Sequence, residues 1–113
     1  ATKGLIGERQ LASMKPGAIL IQASRGGIVD ETALAANLRA GHLGGAAVDV
    51  YSTEPPAADN PLLALEAEAA CRLLLTPHIA GVTRQSAAFL FRSAWANIER
   101  VLVRGEQPHN RVY

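Results

Sequence analysis

Cysteine is nearly absent from this 113-residue chain. The single Cys71 excludes an internal disulfide, and no charged stretch leads into an apolar segment at the start as a secretory leader would. The expectation is a reduced, cytoplasmic protein. Long hydrophobic runs are missing too. Ala18 to Ile21 and Leu73 to Leu75 are strand-sized, far below the roughly 20 residues that cross a bilayer, so no membrane partner is expected. Neither sign of charge is in excess: 11 basic and 10 acidic residues are spread along the chain for a net charge of +1. That balance provides no basic stripe for nucleic acid and points to small molecules or proteins as partners. Repeats and low-complexity tracts are absent, and Pro and Gly fall singly or in pairs as punctuation between apolar runs. With 49% hydrophobic residues the chain has ample material for one compact domain. It opens Ala1-Thr2-Lys3-Gly4 without Met, and the expectation is a domain cut from a longer polypeptide.

The apolar runs that are present alternate in type. Leu5, Ile6, Leu11 and Met14 recur at roughly helical spacing, and Lys15-Pro16-Gly17 stops that helix before a buried strand over Ala18 to Ile21. After the turn Arg25-Gly26-Gly27, Asp30 stands where an N-cap belongs, and Leu34, Leu38 and Gly41 mark a helix and its stop. Gly44 to Val50 is small and apolar on both faces, as a strand covered by helices on each side would be. Ser52 to Pro61 carries three prolines and reads as loop; Leu62 to Glu68 reads as a short helix and Arg72 to Thr76 as a third strand, ended by Pro77. From Thr83 to Arg104, Phe91, Ala94, Trp95, Ile98, Val101 and Leu102 follow helical spacing, closed by Gly105. The alternation predicts an α/β fold: a partial Rossmann-like parallel sheet of about three strands flanked by helices, with a long C-terminal helix. Ligands of such sheets bind beyond the C-terminal strand ends, so Ser24-Arg25-Gly26, Asp49 to Glu54 and Thr76-Pro77-His78 are expected to converge along one edge.

Those clusters hold the candidate chemistry. Arg25, with Gly26 and Gly27 behind it, offers a guanidinium for bidentate binding of a planar carboxylate, although a solvated Arg in a Gly-rich turn has the same appearance. His78, fixed by a strand and a Pro, is placed to exchange a proton near neutral pH, and a purely structural His fits there equally. Glu54 is either a surface carboxylate or a hydrogen-bond partner that favours the His78 imidazolium. Asp49 interrupts a small apolar strand, so its carboxylate requires a partner, either an amide donor from a ligand or backbone N–H groups. No metal site is assigned.

The stretches T-K-G-L-I-G, M-K-P-G-A-I-L-I-Q-A-S-R-G-G-I-V-D-E, G-A-A-V-D-V-Y-S-T-E-P-P and L-L-T-P-H-I-A-G occur in this order between Thr2 and Gly81. In that combination the chain resembles the D-isomer-specific 2-hydroxyacid dehydrogenases, the group that includes phosphoglycerate and glycerate dehydrogenases. The resemblance implies an oxidoreductase that transfers hydride between NAD, or NADP, and a D-2-hydroxy acid or its 2-keto acid. It implies Arg25 as the carboxylate binder, His78 as the acid/base and Glu54 as its partner. Ala23, Ser24, Arg25, Asp49, His78 and Gly81 would surround the nicotinamide, with Asp49 near the carboxamide. In reduction a protonated His78 would give its proton to the keto oxygen; in oxidation it must start neutral, so opposite pH slopes are expected. A homodimer is implied as well, and Phe89, Phe91 and Trp95 offer apolar surface for one, although core packing accounts for them equally well.

Two residues depart from the family's usual pattern, Gln22 where Asn is common and Ala80 where Gly is common; Gln22 keeps an amide and would only shift a turn, whereas Ala80 would crowd the nicotinamide if its φ had to be positive. Glu54 stands where the formate dehydrogenases of the group typically carry Gln, which argues against that branch. No G-x-G-x-x-G turn occurs, so the resemblance covers the C-terminal part of the NAD(P)-binding domain of a two-domain dehydrogenase, without the pyrophosphate clamp or the substrate domain. Alone, this part is expected to be inactive, with an open sheet edge where the first half of the domain would pair. The alternative is a regulatory, corepressor-like protein on the same fold that binds dinucleotide without turnover.

Overall fold

A computed structural model describes residues 2–111, and the chain divides into two compact units, Ala1–Ala80 and Gly81–Tyr113. The sequence reads as one unit; the division falls directly after Ala80, before the turn that leads into the last helix. In the first unit the elements run α1 (Glu8–Ala12), β1 (Ile19–Gln22), α2 (Glu31–Arg39), β2 (Gly45–Val48), α3 (Ala67–Ala70) and β3 (Leu73–Leu75). The second unit holds α4 (Arg84–Leu102). The three strands form a parallel sheet in the order β1-β2-β3, the architecture that the alternation of strand and helix predicts.

Register and the two-residue side-chain period decide which face is core. Leu20 stands level with Ala46 and Leu73, and Gln22 with Val48 and Leu75. This face packs with Leu11 of α1, Leu34, Ala35 and Leu38 of α2, and Leu43, Tyr51 and Leu62. The opposite face carries Ile19, Ile21 and Leu74, which are 69%, 74% and 62% exposed. β1 is therefore not the fully buried strand that its apolar run suggests: hydrophobicity alone does not reveal that α1 and α2 pack on the same side of it. β2 comes closer to expectation, with Gly45, Ala46 and Val48 buried. The outer edge of β1 has no partner strand among the described residues.

Two helices depart from the spacing read in the sequence. Leu5 and Ile6 lie outside α1, because Ile6 forms a parallel bridge with Val29: its N–H donates to the Ile28 carbonyl at 3.0 Å, and its carbonyl accepts from Asp30 at 2.9 Å. The helix starts only after Gly7, whose N–H donates to the Gln10 side chain at 3.2 Å. The short helix expected over Leu62 to Glu68 lies instead at Ala67–Ala70. Asn60 explains the shift: its side chain accepts from Leu62 N–H at 2.9 Å and its carbonyl from Leu63 at 2.9 Å, closing a turn that ends before Glu66 resumes an extended backbone.

Capping agrees with the reading. Asp30 accepts from the N–H groups of Thr32 and Ala33 at 2.9 and 3.0 Å, and Gly41 follows the end of α2 with φ +68°. In the second unit Thr83 and Ser86 cap α4 reciprocally, each side chain bonding the other's N–H at 3.0 Å. No residue of α4 is buried, and Phe91, Trp95 and Leu102 are 78%, 70% and 78% exposed. No helix among the described residues is long and apolar enough to cross a membrane.

The core assignment is checked by chemical denaturation. Leu34→Ala, at a position 1% exposed, is expected to cost about 3 kcal/mol, and Ile21→Ala less than about 1 kcal/mol. Equal losses would mean that the Ile21 face is covered.

Candidate active site

The first unit gathers its polar residues where the strands end. Beyond β1, the amide of Gln22 organises the following turn. Its Nε2 donates to the Arg25 carbonyl at 2.8 Å and its Oε1 accepts from the Ser24 hydroxyl at 2.8 Å. Gln22 is buried, so its amide had to be satisfied, and it is satisfied by the turn that carries Arg25. The Gly26 backbone lies against the next strand's exit so closely that a Cβ there would stand 1.7 Å from the Tyr51 carbonyl oxygen, a contact only glycine permits. The Arg25 side chain is exposed and donates to the Ser24 carbonyl at 3.0 Å. Among the described residues it pairs with no carboxylate, leaving its other donors for a ligand.

Beyond β2, the chain turns through Asp49 to Glu54. The Tyr51 N–H donates to Glu54 Oε1 at 3.0 Å, and Glu54 Oε2 meets His78 Nδ1 at 2.8 Å, across 24 residues of sequence. These hydrogen bonds, that from His78 first and that from Tyr51 second, hold the Glu54 carboxyl below its ordinary range. An ionised carboxylate only accepts, so Nδ1 carries a proton and Nε2 is the ring nitrogen left outside this pair. Among the described residues Nε2 has no partner. The pair borders a pocket of about 250 Å3 lined by Tyr51, Glu54, Pro55, Pro56, Pro77 and His78. His78 has φ +54°, a left-handed conformation that a non-glycine residue adopts at some cost and that recurs at functional positions.

Beyond β3, the loop is tied to Asp49, which is 5% exposed. Its Oδ1 accepts from the Thr76 hydroxyl at 2.5 Å and the Ile79 N–H at 2.8 Å, and its Oδ2 from the Ala80 N–H at 2.9 Å. Of the two partners the sequence allows, backbone N–H groups are present, together with a side chain it did not suggest. The Thr76 hydroxyl does most to hold the Asp49 carboxyl below its ordinary range, against the opposing effect of burial. Tyr51 completes the frame: its hydroxyl donates to the Thr76 carbonyl at 2.9 Å, and burial raises its own pKa.

The site residues read from the sequence thus fall into three sets. Glu54 joins His78 directly, and Asp49 joins the segment that follows His78. The turn with Ala23, Ser24 and Arg25 reaches this cluster through the Gly26 contact with Tyr51, without a hydrogen bond from the guanidinium. Gly81 belongs to the second unit, where its carbonyl accepts from the Ser86 hydroxyl. Ala80 is not among the described residues with positive φ, so the condition under which it would crowd the nicotinamide is not met. Sequence reasoning missed the holding roles of Gln22, Tyr51 and Thr76. The available signal was the same for Gln22 and Thr76: a polar side chain at the last turn of an apolar strand.

Residues 1–80 match the sequence model of the NAD binding domain of D-isomer specific 2-hydroxyacid dehydrogenases. The chain belongs to this family. Over 100 residues, 88% of its length, it is 50% identical to the (S)-sulfolactate dehydrogenase of Chromohalobacter salexigens, and over 85 residues, 75% of its length, 51% identical to the D-3-phosphoglycerate dehydrogenase of Archaeoglobus fulgidus. These matches take in 30% and 15% of the two relatives, so the chain spans a third or less of their length. Among solved structures it resembles the D-isomer specific 2-hydroxyacid dehydrogenase of Xanthobacter autotrophicus in complex with NADPH and MES. The TM-score is 0.78 at 37% identity, over 99% of this chain and 43% of that one. The D-mandelate dehydrogenase of Rhodotorula graminis gives a TM-score of 0.78 at 32% identity, over 99% and 32%.

Two outcomes are expected of the site itself. Gly26→Ala displaces the Arg25 turn, because a backbone carbonyl cannot yield as a side-chain end would; an unchanged turn in a structure of the variant would refute the contact. Glu54 and Asp49 both have folded-state pKa values below the unfolded ones. Their stabilisation is therefore complete above the ordinary carboxylate range, roughly pH 4, and is lost as pH falls through the lowered values. Denaturation between pH 7 and 3 should show this loss, reduced in Glu54→Gln.

Proposed function

We propose that this chain is the C-terminal part of the cofactor domain of a two-domain NAD(P)-dependent dehydrogenase. In this reading Arg25, Glu54 and His78 interconvert a D-2-hydroxy acid and its 2-keto acid. Family membership supports the reaction class. The observation that carries the assignment is the His78–Glu54 pair, 2.8 Å apart with its second ring nitrogen unengaged. That is the arrangement a proton donor to a carbonyl oxygen requires.

The residues present fit the nicotinamide end of the cofactor. Asp49 Oδ2 accepts one protein hydrogen bond where Oδ1 accepts two, which leaves acceptor capacity for an amide donor such as the carboxamide. Ala23 and Ser24 line the same end in this reading. When bound, the nicotinamide supplies the hydride for reduction and takes it in oxidation. The chain's own residues do the rest. Arg25 pairs with the substrate carboxylate and draws charge from the carbonyl, and His78 Nε2 gives a proton to the carbonyl oxygen or takes one from the hydroxyl. Glu54 keeps the imidazole in the orientation and tautomer that transfer needs. NAD and NADP are both compatible, because the residue that separates them lies outside this chain. The reading extends to a cytoplasmic homodimer, supported by the exposed Phe89, Phe91 and Trp95 of α4.

The test is oxidation of NADH and NADPH by the full-length protein with hydroxypyruvate, glyoxylate, pyruvate and phosphohydroxypyruvate. One keto acid is expected to be reduced, with His78→Asn lowering kcat by about 100-fold or more, since Asn tolerates the left-handed backbone but is neither an acid nor a base near neutral pH. Arg25→Lys should act chiefly on KM by removing bidentate carboxylate binding. Reduction should slow as pH rises and oxidation as pH falls, because His78 must start protonated in one direction and neutral in the other. Dinucleotide binding without turnover of any keto acid would refute the enzymatic reading.

A further inference from the structure

Thr76 lies two residues before His78, and all three of its polar groups are engaged. Its N–H donates to the Val48 carbonyl at 3.0 Å, its carbonyl accepts from the Tyr51 hydroxyl at 2.9 Å, and its own hydroxyl donates to Asp49 Oδ1 at 2.5 Å. On the far side of His78, the Ile79 and Ala80 N–H groups donate to the same carboxylate. His78 therefore occupies a short arch fixed at both feet by one buried side chain, with φ +54° at its top. A left-handed residue relaxes when its surroundings do not hold it, since the conformation costs on the order of 1 kcal/mol. The imidazole is short, so its place follows directly from the backbone beneath it.

We propose that Thr76 is a positioning residue for proton transfer: acting through Asp49, its hydroxyl holds the backbone arch that aims His78 at the substrate and keeps its ring on Glu54. This role rests on the function proposed above. The hydroxyl is what the role needs. Valine has the same shape and suits a strand end, but gives Asp49 Oδ1 one donor fewer and frees one foot of the arch. Tyr51 adds to the same arch, since its N–H holds Glu54 while its hydroxyl holds the Thr76 carbonyl.

The test compares wild type, Thr76→Val and Thr76→Ser in the full-length protein, each also combined with His78→Asn. With the keto acid that wild type reduces, Thr76→Val is expected to lower kcat on the order of 10- to 100-fold. KM should stay within about twofold. Thr76→Ser should restore most of the rate, and Thr76→Val should cost nothing further once His78 is Asn. Nitrogen-15 NMR of the imidazole supplies a readout that needs no turnover. The Nδ1–H tautomer should dominate in wild type and Thr76→Ser and lose population in Thr76→Val. If Thr76→Val does not fold, Thr76→Ala carries the same expectations. An unchanged kcat and tautomer population in the folded variant would overturn the proposal, as would an equal loss of rate on the His78→Asn background. If wild type reduces no keto acid, the proposed function fails, and the tautomer comparison alone decides the role of Thr76.

Discussion

A carboxylate taken out of water must find donors, and Asp49 is the point at which this requirement organises the chain. It sits at the end of β2, buried behind an apolar strand, where an unsatisfied charge would take up a proton or prevent folding. Its donors come from the segment after β3, about 30 residues away: the Thr76 hydroxyl and two consecutive amides. Satisfying one side chain therefore fixes the path of the whole segment that carries His78. The strand ladder alone would not do so, because β3 ends at Leu75 and Pro77 has no N–H to extend it.

Contact rather than charge fixes the other half of the site. Gly26 lets the turn after β1 lie on the Tyr51 carbonyl, and Gln22 closes that turn from below. Tyr51 is thus used three times: its carbonyl bounds the Arg25 turn, its N–H holds Glu54, and its hydroxyl holds Thr76. A change at Tyr51 would act on all three strand ends at once, although it carries none of the chemistry.

Much of this was legible in the sequence, and what was not shares a cause. The strands, the Asp30 cap and the long last helix follow from local pattern, each resting on spacing within one stretch of chain, and the family resemblance follows from four such stretches in order. The meeting of Glu54 and His78 was readable as a pairing because both belong to strand-end clusters that parallel topology brings together. The misreadings at Leu5 and Ile6, at Leu62 to Glu68 and on the outer face of β1 are cases in which a partner remote in sequence decides. Val29 captures Ile6, the Asn60 side chain closes a turn, and α1 and α2 leave one face of the strand exposed. The holding roles of Gln22 and Thr76 were hidden for the same reason: a polar residue at a strand end reveals that it needs a partner, not which one it has.

Two carboxylates near one imidazole would ordinarily compete for its proton, and here their surroundings divide the work. Asp49 is tied to three fixed donors, and the charge of His78 is the least of the influences on its ionisation. Glu54 is half-exposed, and its hydrogen bond with His78 is the largest. One carboxylate is therefore committed to the backbone that carries the histidine and the other to its ring, so the position of the imidazole and its tautomer are set by different groups.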